Sequence, residues 1–283
     1  MKKSITLTAV LLLASLGLAQ NPPAGQTPTA PAAPAAPKVA KAPEAKSAEE
    51  FKAYQDAVAV ADIAAAETAV DEFAKKYPTS ELRVSAYSRV LEKAYQTGDA
   101  NRIMSIGRKV LAIEPDNAMT QVVTATAIAE TTREADLDAA EKFAEATKLA
   151  DASLKNIDTM LPQPNVTPEQ FEGLKAALRA MAYSTKGYMA MKRKNYAAGE
   201  EAYQKAIEAN PSQQDAVMYL RLAVCQDNQR KYAAGYANAV KALQLAEGQN
   251  NPQVANLARA ERDRLQTLMS NAPKAAAPAP PKK

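Results

Sequence analysis

The chain has no histidine, no tryptophan, one cysteine, nine glycines and four phenylalanines in 283 residues. Without histidine, the commonest metal ligand and the commonest general base are both missing. The lone Cys225, set among Leu222, Ala223 and Val224, forms no internal disulfide, so folding rests on packing. A buried, inert thiol is the expectation there. No phosphate-binding G-x-x-x-x-G-K-[ST], no G-x-G-x-x-G, no G-x-S-x-G and no cysteine pair occurs. Paired acids stand at Glu49-Glu50, Asp71-Glu72 and Glu200-Glu201, but adjacent residues point to different faces of a helix and read as solvated charge. These absences predict a protein that is not an enzyme, with no catalytic residue, cofactor or metal.

Positive charge is scarce in the middle of the chain and concentrated at its ends. The whole carries +4. Lys2, Lys3, Lys38, Lys41, Lys46, Lys274, Lys282 and Lys283 against Glu44 supply an excess of seven, which leaves residues 47–272 at a net −3. A mildly acidic body gives no reason to expect nucleic acid as a partner. Long apolar runs are also missing, apart from Ile5 to Leu16. Preceded by Lys2 and Lys3 and followed by Gly17-Leu18-Ala19, that run predicts a secretory signal peptide over 1–19. It is short for a membrane span. Retention as an uncleaved anchor stays open.

Residues 20–46 and 273–283 are Pro/Ala/Lys-rich segments that cannot bury enough apolar surface to offset their ordering. The first reads as a linker and the second as a tail. What remains is helix after helix. Ser47-Ala48-Glu49-Glu50 and Thr167-Pro168-Glu169-Gln170 predict capping boxes, and Pro78, Pro115 and Pro211 each follow an amphipathic stretch. Helices are expected near 48–60, 62–76, 80–97, 99–113, 117–131, 134–160, 168–193, 196–209, 213–229, 232–247 and 252–270. No strand pattern appears. The insert at 161–167 divides an N-terminal set of helices, 47–160, from a C-terminal set, 168–272.

Two stretches nearly repeat: N-Y-A-A-G-E-E-A-Y-Q-K-A-I at 195–207 and K-Y-A-A-G-Y-A-N-A-V-K-A-L at 231–243, an offset of 36 residues. Helical repeats of that length mark stacked helix pairs, none of which buries its apolar face alone. In residues 180–213, Tyr183, Gly187, Tyr196, Gly199, Tyr203, Ala206 and Pro211 resemble the tetratricopeptide repeat. Residues 84–117 fit more loosely through Tyr87, Gly98-Asp99 and Pro115, with Leu91 and Ile103 where small residues are usual. The copy at 214–247 keeps its second helix but runs two residues long. The ending F-A-K-K-Y-P-T-S at 73–80 is similar to periplasmic repeat proteins of envelope assembly. The resemblance implies an all-α fold, an α-solenoid of antiparallel helix pairs in a TPR-like superhelix, with about five pairs and a C-terminal capping helix. Tyr183, Tyr196 and Tyr203 are then expected as core between neighbouring pairs.

The family's ligand groove, carried onto first-helix positions, falls on Ser88, Glu92, Tyr95 and Gln96, and on Met181, Ser184, Tyr188, Met191 and Lys192. Ser88 and Glu92 stand where a carboxylate clamp would want Lys and Asn, so that specificity is not expected. An aromatic and two methionines with one cation suit an adaptable apolar peptide. The basic run Lys192-Arg193-Lys194 reads as helix C-terminal charge, with a phosphate or carboxylate contact as the alternative. The functional expectation is a non-enzymatic exported scaffold in the periplasm or cell envelope, binding another protein or peptide segment there. It would need no integral membrane span after processing, and self-association stays open. The rival expectation is a structural tether that self-associates and contacts anionic envelope polymers through its basic Pro/Ala arms.

Overall fold

The computed structural model describes residues 39–271 except 165. The expected signal peptide, the linker up to residue 38 and the tail from residue 273 lie outside the described residues. These form eleven α-helices: α1 (Ala48–Ala59), α2 (Ile63–Lys76), α3 (Leu82–Thr97), α4 (Ala100–Ile113), α5 (Ala118–Thr131), α6 (Ala139–Asn156), α7 (Pro168–Lys192), α8 (Tyr196–Ala209), α9 (Ala216–Asn228), α10 (Tyr232–Gly248) and α11 (Pro252–Asn271). A short 3-10 turn, Ile157–Thr159, follows α6, and no strand occurs among the described residues. The all-helical expectation holds, and each expected helix is present. Each helix packs on the next, and α5, α7, α9 and α11 also touch in a row. No described helix is long and apolar enough to cross a membrane.

Helix starts follow side-chain capping. Asp62, Asp99, Asn117, Thr167, Asn195 and Asp215 each accept a hydrogen bond from a backbone N–H of the first turn. Thr167 and Gln170 form the reciprocal box expected for α7. At α1 the box is altered: Ser47 accepts from the Glu50 N–H, but the Glu50 carboxylate takes the N–H of Lys46 at 2.7 Å, one residue earlier. Helix α6 starts five residues later than the expected 134. The Asp136 carboxylate accepts the Arg133 N–H at 2.9 Å, and that local bond competes with helix.

Four inter-helix turns share one conformation. Gly98, Lys194, Arg230 and Asn250 all have positive φ, between 52° and 67°. In each, the next residue's N–H returns to a carbonyl five residues back: Asp99 to Ala94, Asn195 to Ala190, Lys231 to Gln226, Asn251 to Ala246. Repetition is thus visible at turns where sequence similarity has faded. Residues 39–46, assigned to the linker, have no regular secondary structure but are tied to the turn before α3 and the loop after α6. The Ala40 N–H donates to the Pro162 carbonyl at 2.9 Å, the Glu44 N–H to the Glu81 carboxylate at 3.1 Å, and Lys46 to Thr79 at 3.0 Å.

The 36-residue offset reappears as geometry. A Cβ added at Gly199 would lie 3.5 Å from the Gly187 carbonyl oxygen and 3.7 Å from the Met191 nitrogen. At Gly235 the corresponding atoms belong to Ala223 and Asp227, at 3.2 and 3.6 Å, each 36 residues on. Small residues let α8 and α10 meet the backbones of α7 and α9. Cys225 fills the space beside Gly199, fully buried, and burial pushes its thiol up to about 12, helped by the Glu200 charge. Farther N-terminal, Tyr87 donates to Asp71 at 2.8 Å, and Lys109 reaches Glu67 and Asp71, tying α2, α3 and α4 together.

The tightest of these glycine contacts is between α4 and α5. A Cβ at Gly107 would fall 2.0 Å from the Thr124 hydroxyl oxygen, which is buried and has no hydrogen-bond partner. Gly107→Ala should therefore destabilise by about 1–3 kcal/mol through overpacking, despite alanine's better helix propensity. Adding Thr124→Ala should recover most of that loss. Thermal melts of the single and double variants measure the coupling. Two additive losses would show that Thr124 is not the obstacle.

Candidate functional site

Seen residue by residue, the expected groove positions divide into packed and available ones. On α3, Ser88 and Glu92 are half-buried and Gln96 is exposed. Glu92 is held by Arg89 at 3.7 Å and accepts from Gln96 at 3.4 Å. On α7, Met181 packs against the main core, and Met191 packs against Tyr203, Leu222 and Cys225. Both methionines fill space between helices, so they supply less adaptable surface than their spacing suggests. Ser184 is half-buried. Tyr95, Tyr188 and Lys192 are the groove residues that reach one polar cluster.

The tyrosines also sort differently from the expected phase. Tyr203 is completely buried, as a core residue should be. Tyr183, expected between neighbouring pairs, is half-buried and lines an open cavity instead. Tyr196 is half-buried beside Tyr203. Tyr188, expected on an open side, is half-buried and packs near Met189 under the Arg221 guanidinium, 4.4 Å from its ring centroid. Arg221 comes from the adjacent helix α9, which the repeat frame of α7 alone does not include.

Two residues absent from the sequence reading, Glu130 and Arg221, join the tyrosines. Arg221 reaches Glu130 at 3.6 Å, with side chains 24% and 15% exposed respectively. Lys192 lies 5.6 Å from the same Tyr188 ring, so two cations share one aromatic. Helix α3 brings Tyr95, α5 brings Glu130, α7 brings Tyr188 and Lys192, and α9 brings Arg221. The signal for the missed pair was present in the sequence. Glu130 is the only charged residue in α5, and Arg221 interrupts the apolar run from Val217 to Cys225. An isolated charge in a buried helix points to a partner across the interface.

The electrostatics show why this cluster is costly. Burial pushes the Glu130 carboxyl above its usual range, even though Arg221 pulls it down. Its place in the last turn of α5 adds to the cost, since that helix end carries partial negative charge. Burial also raises Asp215, against its bonds from the Val217 and Met218 N–H groups. Tyr95 rises to about 12, first through burial and then through the Glu130 charge. Its hydroxyl is buried without a hydrogen-bond partner. Beside it, α3, α4 and α5 leave a cavity of about 50 Å³ lined by Tyr95, Ile103, Ala127 and Glu130, among others. That space admits water. Deeper in, burial raises the Tyr203 phenol against the pull of Arg221, and its hydroxyl makes no hydrogen bond of ordinary geometry.

Two expected outcomes follow from these environments. Tyr203→Ala should cost about 3–5 kcal/mol by leaving a cavity, whereas Tyr203→Phe should be neutral or slightly stabilising because it removes an unpaired hydroxyl. Denaturant unfolding of the two variants reads the difference. Glu130, with its folded pKa raised, contributes stability that is present below its unfolded pKa, about 4.3, and is lost as pH rises through the folded value. Glu130→Gln should therefore raise the melting temperature at pH 7, by about 2–4 °C per kcal/mol gained. The gain should disappear below pH 4. A loss of stability at pH 7 would show that the Arg221 pairing outweighs burial.

No protein-family model matches the chain and no curated protein is significantly similar to it.

Proposed function

We propose that the chain is a non-enzymatic scaffold of the tetratricopeptide-like kind, an α-solenoid of helix pairs closed by α11, that is exported and binds another envelope protein. Three features support the solenoid reading. Consecutive helices pack in pairs, odd-numbered helices from α5 onward touch in a row, and the glycine contacts recur at the 36-residue offset. The apolar segment 5–16 behind Lys2 and Lys3 supports export.

The observation that carries the binding reading is the cluster on α3, α5, α7 and α9. Four odd-numbered helices converge on aromatic and charged groups that helix packing does not require. Tyr188 holds two cations, of which Lys192 has no carboxylate partner among the described residues, and the Tyr95 hydroxyl is unsatisfied. Aromatic and arginine side chains in such partly desolvated settings are the usual anchors of protein interfaces. A partner segment with an apolar side chain against Tyr188 and a hydrogen-bonding group near Tyr95 fits this strip.

The test is affinity capture from envelope extract with wild-type, Tyr188→Ala and Tyr95→Phe proteins, each checked by circular dichroism and thermal melt. Tyr188→Ala should remain folded and capture at least tenfold less of the same partner, a loss of about 1.4 kcal/mol or more. Tyr95→Phe removes only a hydroxyl and should weaken capture without lowering the melting temperature. Full capture by both folded variants would remove this face as the binding site.

A further inference from the structure

Helix α7 has a second lined face. Tyr183, Lys186, Ala190 and Arg193 follow one another at spacings of three and four residues, a stripe distinct from Met181, Ser184, Tyr188 and Met191. This stripe borders a cavity of about 340 Å³ that opens between α6, α7 and α8. The volume is at the lower end of the range of small-molecule pockets, enough to seat one or two side chains. Its floor is Tyr183, Met189 and the alanines 190, 198 and 202, small side chains that give it depth. Thr147 on α6 closes one side, its hydroxyl 3.7 Å from the Met189 sulfur.

The rim is polar and predominantly positive. Lys186, Arg193 and Lys205 stand on it with Glu201. Lys186 is paired with Asp151 of α6, and Lys205 with Glu201 at 2.7 Å. Arg193 stacks on Phe143 at 5.3 Å and holds no carboxylate among the described residues. Three cations therefore face two carboxylates, and the uncompensated one belongs to the Lys192-Arg193-Lys194 run. Ending a helix in positive charge accounts for the presence of that run. It does not account for an apolar cavity opening beneath Arg193.

We propose that this cavity is a second docking site, for a peptide segment of another protein in which an apolar side chain is flanked by carboxylates. The apolar anchor fills the space over Tyr183, Met189 and the alanines, and the carboxylates meet Arg193 and compete for Lys186 and Lys205. The chain's own ends are unsuited to it by charge. Residues 1–38 and 272–283 contain six lysines and no Asp or Glu. Charge complementarity therefore favours an acidic segment of another protein over residues 1–38 and 272–283. The site lies on a different face of α7 from the Tyr188 cluster.

The probe is a fluorescein-labelled, end-blocked peptide of Leu, Phe and Glu, followed by fluorescence anisotropy with the full chain. Two control peptides replace Glu by Lys, or Leu and Phe by Gln. Only the first peptide should bind, and its affinity should fall with added salt. Arg193→Ala should weaken binding about tenfold, and Ala198→Trp, which fills the cavity, should abolish it. Lys75→Ala, at an exposed lysine on α2, should leave it unchanged. Circular dichroism confirms that each variant is folded. The proposal is overturned if the first peptide does not bind at millimolar concentration or if either control binds as well. It is equally overturned if folded Ala198→Trp retains the affinity.

Discussion

Everything in this molecule depends on how closely one helix backbone can approach the next. At Gly199 and Gly235 no side chain separates α8 from α7 or α10 from α9, and backbone atoms of the partner helix lie within ordinary or tight contact of a hypothetical Cβ. Close approach brings the larger side chains of each helix across to its neighbour, which is how Tyr203 becomes completely buried. The ring of Tyr203 in turn occupies the space at Gly187, 3.0 Å from where a Cβ there would stand. Small residues and large ones are thus complementary parts of one contact. With no disulfide to close the chain, cohesion comes from repeating such contacts between neighbours.

That economy makes the polar exceptions informative. Several buried polar groups serve the packing: Glu200 accepts from Gln226, Gln229 and Lys231, and so fastens α8 to α9 and to the start of α10. Asp227 of α9 pairs with Arg264 of α11, closing the C-terminal end. The Glu130–Arg221 pair is different in kind. Its separation of 3.6 Å is loose, the acid sits at the unfavourable end of its helix, and a tyrosine hydroxyl nearby has no partner. Groups placed against local preference with incomplete compensation concentrate where a protein does its work.

Much of this was legible in the sequence, and the limits have physical reasons. Helix positions were readable because proline and capping residues punctuate the chain, and a cap acts within one turn. Errors arose where a side chain formed a local bond that competes with helix, as Asp136 does before α6. The close approach at Gly199 was readable because the repeat preserves it as Gly235, 36 residues on. The phase of Tyr183 and Tyr188 was not. Tyr188 is covered by Arg221, 33 positions away, and Tyr183 is left half-exposed because α6 and α8 flank α7 without filling the space between them. Helical periodicity assigns a residue to a face, but the neighbouring helices decide whether that face is covered.

Helix α7 shows the consequence. At 25 residues it is the longest element among the described residues, and it contacts α5, α6, α8 and α9. A helix with neighbours on most sides would be expected to be apolar all round, yet this one carries Tyr183 with Lys186 on one face, continued by Arg193 at its C-cap, and Tyr188 with Lys192 on another. Between them Ala182, Thr185, Gly187 and Met189 are buried and hold the helix in place. Rigid attachment along those buried positions fixes the orientation of both aromatic faces at once. A substitution that rotates α7, such as enlarging Gly187 against the Tyr203 ring, would disturb both faces together. A substitution at Tyr188 or Arg193 acts on one face alone.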